Sequence, residues 1–269
     1  MATVLVTGAS AGMGEAVARK LLGVGYTVYA VARRVEQMRG LEEAGATVVA
    51  ADVTREQDLV ALVERIEGEQ GALDVLVNNA GFGLYGAVED VSIEDARYQF
   101  EVNLFGMGRL TQLVLPGMRA RGSGRIVNIS SMGGKVYTPL GAWYHASKHA
   151  VEGWSDCLRL EVRPFGIDVV VIEPGIVATE FGDVLAEPML RRSGQGAYAA
   201  LAKKVAAATE GENAVSGTPA GKLAEVIVKA VSARRPRTRY VAGKYARPLM
   251  FMRKWFGDRV YDRVVMSRV

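Results

Sequence analysis

The chain has 269 residues, 49% of them hydrophobic, and a formal net charge of +4, enough apolar material for a sizeable core in a single α/β domain. No run approaches the roughly 18 apolar residues of a membrane span, and no His/Cys cluster has metal-ligand spacing, so no metal is expected. Cys157 stands alone, which excludes an internal disulfide and fits a reducing cytoplasm.

The first strand is expected at 3–7, a β-branched run suited to a buried parallel sheet. It begins at the N-terminus itself, leaving no room for a signal peptide there. Gly8-Ala-Ser-Ala-Gly12-Met-Gly14 follows and opens a helix at 14–23. Such glycines let a pyrophosphate approach the backbone, and the helix N-terminus offers unpaired N–H groups. A strand at 27–32 ends in Ala32-Arg33-Arg34, a helix at 35–44 leads to a strand at 47–51, and Asp52-Val53 precede a helix at 55–69. The strand at 75–78 runs into Asn78-Asn79-Ala80-Gly81, at the sheet edge where ligands bind, although Asn and Gly also simply make turns. Helices at 93–105 and 107–121, a strand at 125–129, a helix at 142–163, a strand at 168–172, a helix at 219–232 and a strand at 239–241 complete the alternation. That alternation predicts a parallel sheet with helices on both faces and right-handed crossovers.

Two regions break the rhythm. Residues 176–217 are too many for a plain connection and read as a lid, with Phe181, Leu185 and Met189 apolar and a helical run at 197–208. From Arg234 onward eleven Lys and Arg face two Asp, a net +9 that leaves −5 on the remainder. There Leu249, Met252, Phe256, Val260 and Val264 follow helical spacing among Arg247, Arg253, Lys254, Arg259 and Arg263. A basic amphipathic segment can lie on a membrane surface. It can equally pack on the domain, cap a pocket or join two copies, and packing is the preferred reading. No nucleic-acid recognition element accompanies the basic residues. The expected organisation is one domain at 1–243 and a basic amphipathic extension at 244–269.

Tyr144 and Lys148 stand four apart in Tyr-His-Ala-Ser-Lys, so a helix stacks them on one face. A free phenol has a pKa of about 10. A fixed ammonium beside it favours the phenolate and lowers that value, tuning the group for proton transfer to a carbonyl or alcohol oxygen. His145 and His149 on the same helix read as surface or packing residues.

In chain order, Thr7-Gly8-x-x-x-Gly12-x-Gly14, Asp52-Val53, Asn78-Asn79-Ala80-Gly81, Asn103, Ser131, Tyr144-x-x-x-Lys148 and Pro174-Gly175 resemble the motifs of the short-chain dehydrogenase/reductase family. The resemblance covers residues 3 to about 241. It implies a Rossmann-type, doubly wound α/β fold with about seven parallel strands in the order 3-2-1-4-5-6-7. It implies catalysis by Tyr144 with Ser131, Lys148 and Asn103, and dinucleotide contacts from Gly8, Ser10, Gly12, Met13, Gly14, Asp52, Val53, Asn79, Ala80, Gly81, Tyr144 and Lys148. Asp52 would sit by the adenine, Asn79 would also brace its loop, and Pro174-Gly175, Val177 and Thr179 would hold the nicotinamide. Sites for NAD carry an acid about 20 residues after the glycine turn, whereas an arginine receives the extra phosphate of NADP. Ala32 occupies the acidic position and Arg33, with Arg34 and Ser10, can bind a phosphate, so NADP(H) is expected.

Met132, Tyr137, Trp143, Phe181, Leu185 and Met189 are candidate pocket residues, an apolar set that fits a lipophilic ketone or secondary alcohol or simply packs the lid. The similarity is to hydroxysteroid and retinol dehydrogenases and ketoreductases. It implies a homodimer or homotetramer joined through the helices at 107–121 and 142–163. A same-fold epimerase or dehydratase and an NADP-sensing binding protein are the competing readings. The expected location is the cytoplasm, with the tail as a candidate contact with a membrane surface.

Overall fold

The structure is a computed structural model that describes residues 1–178 and 183–269, without the side chains of 183, 184 and 209–216. In chain order the elements are β1 Thr3–Thr7, α1 Gly12–Gly23, β2 Thr27–Ala32, α2 Arg39–Glu42, β3 Thr47–Ala50, α3 Glu56–Gln70 and β4 Val75–Asn78. Then come α4 Ile93–Phe100, α5 Gly106–Arg121, β5 Gly124–Ile129, α6 Ala142–Val162, β6 Ile167–Pro174 and β7 Val177–Ala178. The chain ends with α7 Asp183–Ser193, α8 Ala199–Ser216, β8 Thr218–Pro219, α9 Ala220–Ser232, β9 Arg239–Ala242, α10 Ala246–Phe256 and α11 Asp258–Met266.

Seven strands form a sheet in the order β3-β2-β1-β4-β5-β6-β9, every pair parallel. This is the doubly wound arrangement expected, with β9 as its seventh strand. Side chains alternate between faces along each strand. Val4 and Val6 therefore pack with Leu21 of α1 and Ile227 of α9 on one side. Leu5 and Leu76 pack with Leu59, Leu62, Leu110 and Val114 of α3 and α5 on the other. Between the central strands and the helices runs a buried polar chain. Asn78 Nδ2 donates to Asn128 Oδ1 at 2.9 Å and Thr111 Oγ1 at 3.2 Å, and Asn128 Nδ2 donates to Ser155 Oγ at 3.0 Å. Each of these groups has a partner, so burying it costs little, and β4 and β5 are held in register with α5 and α6.

Several expected elements are different. The helix at 35–44 is a 3₁₀ turn, Val35–Met38, running into the single turn of α2. Gly40 and Gly45 keep the segment short of a regular helix. The helices at 93–105 and 107–121 are continuous, joined by a π-helical turn Glu101–Phe105. Gly106 is the residue that lets them pass the sheet edge, since a Cβ there would lie 2.3 Å from the Val53 carbonyl oxygen. The lid contains α7 and α8, and β7 pairs with β8 at its base. The tail is two helices rather than one stripe. Gly257, at φ 75° and ψ 175°, breaks it, a conformation open essentially to glycine alone. Phe256 and Val260 are consequently exposed instead of lying on a common packed face.

Tail and domain interlock. Tyr261 is fully buried and donates to the Tyr137 carbonyl at 2.9 Å. Tyr137 donates to Asp262 at 2.8 Å, and the Arg253 guanidinium lies 4.5 Å from the Tyr137 ring centre. Val269 packs against the cluster of Leu140, Met189 and Ala202 under the lid.

Candidate active site

The parallel sheet delivers Thr7, Ala32, Asn78, Ile129 and Pro174 to one edge, where the glycine turn and the loops carrying Asn79 and Ser131 follow. The glycine turn after β1 has two residues in the left-handed region, Gly8 at φ 66° and Gly12 at φ 59°. Gly14 lets α1 press on that turn, since a Cβ would fall 2.2 Å from the Gly8 carbonyl oxygen and 2.5 Å from Asn79 Nδ2. No side chain caps α1 at Ala11, which leaves the first N–H groups of the helix free of a side-chain partner. That cradle fits the pyrophosphate of a dinucleotide.

Asn79 is the brace of this turn. Its Nδ2 donates to the carbonyls of Thr7 at 2.9 Å and Gly8 at 3.2 Å, and the N–H groups of Asn79 and Ala80 donate to Thr7 Oγ1, each at 3.0 Å. Thr7 thus joins the functional set as a structural support. Met13 and Val53 are partly buried, packed against the two core clusters. Arg33 is exposed at the end of β2, with Nη1 3.0 Å from Tyr98 Oη and 3.9 Å from Asp52 Oδ2. Arg34 follows it and is exposed, and Ser10 in the glycine turn is partly accessible. Asp52 Oδ1 is occupied by the Thr54 N–H at 2.9 Å and hydroxyl at 2.8 Å, so Thr54 closes a turn on Asp52 and Arg55 begins α3 without a side-chain cap.

Ser131, Tyr144, Lys148 and Asn103 converge. Ser131 Oγ accepts from the Gly133 N–H at 2.9 Å and is hydrogen-bonded to the Tyr144 phenol. Tyr144 is 8% exposed. Burial pushes its pKa up, and the Ser131 bond opposes that shift. The direction is opposite to the lowering expected from a neighbouring ammonium, because Lys148 Nζ is aimed at the Ile129 carbonyl, 2.9 Å away, and is itself buried. Burial pulls Lys148 down to about 8, against the charge of Glu152. Asn103 lies in the π-helical turn, 2% exposed. Its Oδ1 accepts from the Phe82 N–H at 3.1 Å, and its Nδ2 donates to the Phe82 carbonyl and to Ser147 Oγ, each at 3.0 Å. An asparagine that would weaken an ordinary helix here anchors the loop after Gly81. A Cβ on Gly81 would lie 3.1 Å from Asn103 Oδ1 and 3.7 Å from Lys148 Nζ, so that loop closes over both.

His145 is buried, not a surface residue. It accepts from the Thr138 N–H at Nε2 (3.0 Å), so its proton is on Nδ1, which faces the Gly133 carbonyl at 3.0 Å. Burial holds its pKa near 4, and the neutral ring staples the segment after Ser131. One turn beyond Lys148 lies a buried charge cluster with no counterpart among the sequence expectations. Glu152 Oε2 accepts from Lys135 Nζ at 2.9 Å and from Arg239 at 3.0 Å. Glu173 is 1% exposed, 3.4 Å from Arg239 Nε, with no hydrogen-bond partner. Burial and the charge of Glu152 push its pKa up to about 7.

The expected pocket set does not assemble. Tyr137 is engaged by the tail, as described. Trp143 packs sideways with Leu84, Val91 and Ala96. Met189 is buried inside the lid cluster. Met132, in the turn after Ser131, and Leu185, on α7, remain partly accessible. Thr179 and Phe181 lie outside the described residues. Tyr85, which no spacing pattern singles out, packs its ring 5.8 Å from that of Tyr144 and is held by Arg192 from the lid. Gly175 serves the chain itself, since a Cβ there would meet the Lys244 carbonyl oxygen at 2.1 Å. Val177 is in β7, paired with Thr218.

A seven-stranded, doubly wound parallel sheet with a glycine cradle on β1 and a Ser-Tyr-Lys cluster at the same edge defines a dinucleotide-dependent oxidoreductase site. The family model described as short chain dehydrogenase matches residues 2–189, and the chain belongs to that family, whose members bind NAD or NADP and exchange carbonyl and alcohol. It is 42% identical over 180 residues to the 3-ketodihydrosphingosine reductase of Bacteroides thetaiotaomicron, spanning 67% of this chain and 65% of that one. It is 34% identical to the NADPH-dependent 3-dehydrocapnine reductase of Ornithobacterium rhinotracheale, over 97% of this chain and 94% of that one. A solved short-chain dehydrogenase from Streptomyces avermitilis superposes with a TM-score of 0.82 at 33% identity, covering 98% and 95% of the two chains. Among the described residues no helix is long and apolar enough to cross a membrane.

Proposed function

We propose that the protein is an NADP(H)-dependent reductase of a lipophilic ketone, with Tyr144 as the proton donor. The observation that carries this reading is the buried Tyr144 phenol, hydrogen-bonded to Ser131 and one helical turn from Lys148 at the cradle edge. When bound, the nicotinamide would supply the hydride. Tyr144 holds a proton at its phenolic oxygen, and burial keeps that proton in place at neutral pH, the state in which it can be given to a carbonyl oxygen. Ser131 directs its hydroxyl at the same oxygen and orients it. Lys148, aimed at the Ile129 carbonyl, would place a cation near the ribose hydroxyls. Asn103 fixes the loop that shields Lys148 and stands where a water could lead onward. Gly8, Gly12, Gly14 and the backbone at 79–81 would hold the dinucleotide, with Pro174-Gly175 and Val177 on the nicotinamide side.

Arg33 and Arg34, exposed at the end of β2 with no acid in that position, support NADP over NAD, as does the NADPH dependence in the name of one relative. The Tyr85 ring, 5.8 Å from that of Tyr144, and the partly accessible Met132 in the turn after Ser131 support a lipophilic substrate. We place the protein in the cytoplasm as a homodimer or larger, joined over the outward sides of α5 and α6, near which Phe105, Leu160 and Phe165 are exposed.

The test is NADPH consumption with a ketone panel. Tyr144→Phe should lower turnover by about 10²–10⁴ while dinucleotide affinity, read by fluorescence titration, stays the same. Turnover within a few-fold of the parent removes Tyr144 from the acid role. Arg33→Asp should erase the preference for NADPH over NADH; an unchanged ratio of the two kcat/KM values refutes the cofactor assignment.

A further inference from the structure

The outward side of the tail carries rings and charges that the fold does not use. Arg247, Phe251, Lys254 and Trp255 follow helical spacing along α10 and are all exposed. Phe251 is 58%, Trp255 66% and Phe256 60% exposed. Their rings gather at 6.2–6.3 Å, with Lys254 Nζ 5.4 Å from the Trp255 ring centre. α11 continues the surface with Arg259, Val260, Arg263 and Met266, again exposed.

The acids of the tail are engaged elsewhere. Asp258 pairs with Arg253 at 3.3 Å, and Asp262 accepts from Tyr137. Arg247, Lys254, Arg259, Arg263 and Arg268 enter no ion pair among the described residues. The inward side is meanwhile fully employed by Ala246, Arg253 and Tyr261. A helix that only packed on its domain would turn its aromatics inward; α10 turns Arg253 inward and three rings outward.

Exposed aromatics among unpaired cations match a lipid headgroup layer. Rings settle at the level of the headgroups, and basic residues are drawn to anionic lipids. The complementary charge singles out an acidic bilayer. We propose that the outer face of α10 and α11 docks the protein on an anionic membrane surface. Resting on the lipophilic-substrate reading, this docking also places the cleft near the bilayer. The tail covers Tyr137 in the segment after Ser131, and Val269 packs on the lid cluster beside Tyr85, the neighbour of Tyr144.

The experiment is flotation of the full chain with vesicles of phosphatidylcholine alone or mixed with phosphatidylserine, at low and high salt, alongside light scattering. The protein should float with the phosphatidylserine vesicles, stay behind with phosphatidylcholine and be released by salt. Each basic residue near such a surface is worth about fivefold in affinity. Lys254→Glu combined with Arg259→Glu should therefore weaken binding by about 25-fold or more, and Phe251→Ser with Trp255→Ser should lower it too. Turnover of a water-soluble ketone should be unchanged in both variants, which also shows that they fold. Absence of flotation, or equal binding to both vesicle types, overturns the proposal. So does loss of self-association in the variants without any flotation, which would assign the face to a second copy. Flotation is read without turnover, so a failure of the enzymatic reading would leave it standing.

Discussion

Around the glycine turn, Thr7 and Asn79 give their side-chain polar atoms to the backbone of a neighbouring segment. On the far side of α6, Glu152 and Glu173 crowd against one arginine, and Glu173 has no hydrogen-bond partner. The first region is rigid because every contact ends on a main-chain group that cannot move without moving a strand. The second is held by charge balance among side chains from β6, α6 and β9, with the tail laid over it. Geometry secures the dinucleotide side; electrostatics and an added tail secure the other.

Three substitutions sharpen or break that contrast. The largest effect is expected at the tail. Tyr261 is fully buried, so Tyr261→Ala should cost about 3–5 kcal/mol of stability, measured by urea unfolding. A loss below about 1 kcal/mol, well short of an aromatic truncation in a packed core, would mean that the tail contributes little to the domain. Next, Asn79→Ala strips donors from the Thr7 and Gly8 carbonyls. It should cost about 1–3 kcal/mol and weaken dinucleotide binding in parallel, as read by titration. Affinity unchanged at reduced stability would separate the brace from the cradle.

The smallest effect is a slope. Glu173 has its pKa raised from 4.5 to about 7. The folded chain therefore keeps a proton between those values that the unfolded chain has released, and stability falls as pH rises through that window. Lys135, Glu152 and Arg239 are the charges facing it. Melting curves over a pH series should lose this slope in Glu173→Gln, and an identical slope would place the proton elsewhere.

The same contrast governs what could be read from the residues alone. Gly14 was legible because only glycine tolerates a carbonyl 2.2 Å from a would-be Cβ. Tyr144 and Lys148 were legible because helical spacing fixes which face they share. The sheet order followed from alternation and family likeness. Tyr85, Tyr137 and Trp143 were not legible, since their neighbours come from chain segments far away in sequence, and apolar character does not say which of several clusters a ring will join. The raised Tyr144 pKa was missed for a related reason: spacing places Lys148 on the right face, but the Ile129 carbonyl, from another strand, decides where its ammonium points. Glu152 and Glu173 looked like ordinary helix and strand residues until Arg239 was brought between them.

Gly257 has a consequence out of proportion to its size. With φ 75° and ψ 175° it turns a corner that residues with a Cβ resist, and Tyr261 enters its slot beneath Tyr137 just after that corner. A side chain at 257 would meet no neighbouring atom but would strain this corner by about 1–3 kcal/mol, a load set directly against the hold that Tyr261 has on the domain. One backbone angle thus sets the direction in which the last helix leaves α10.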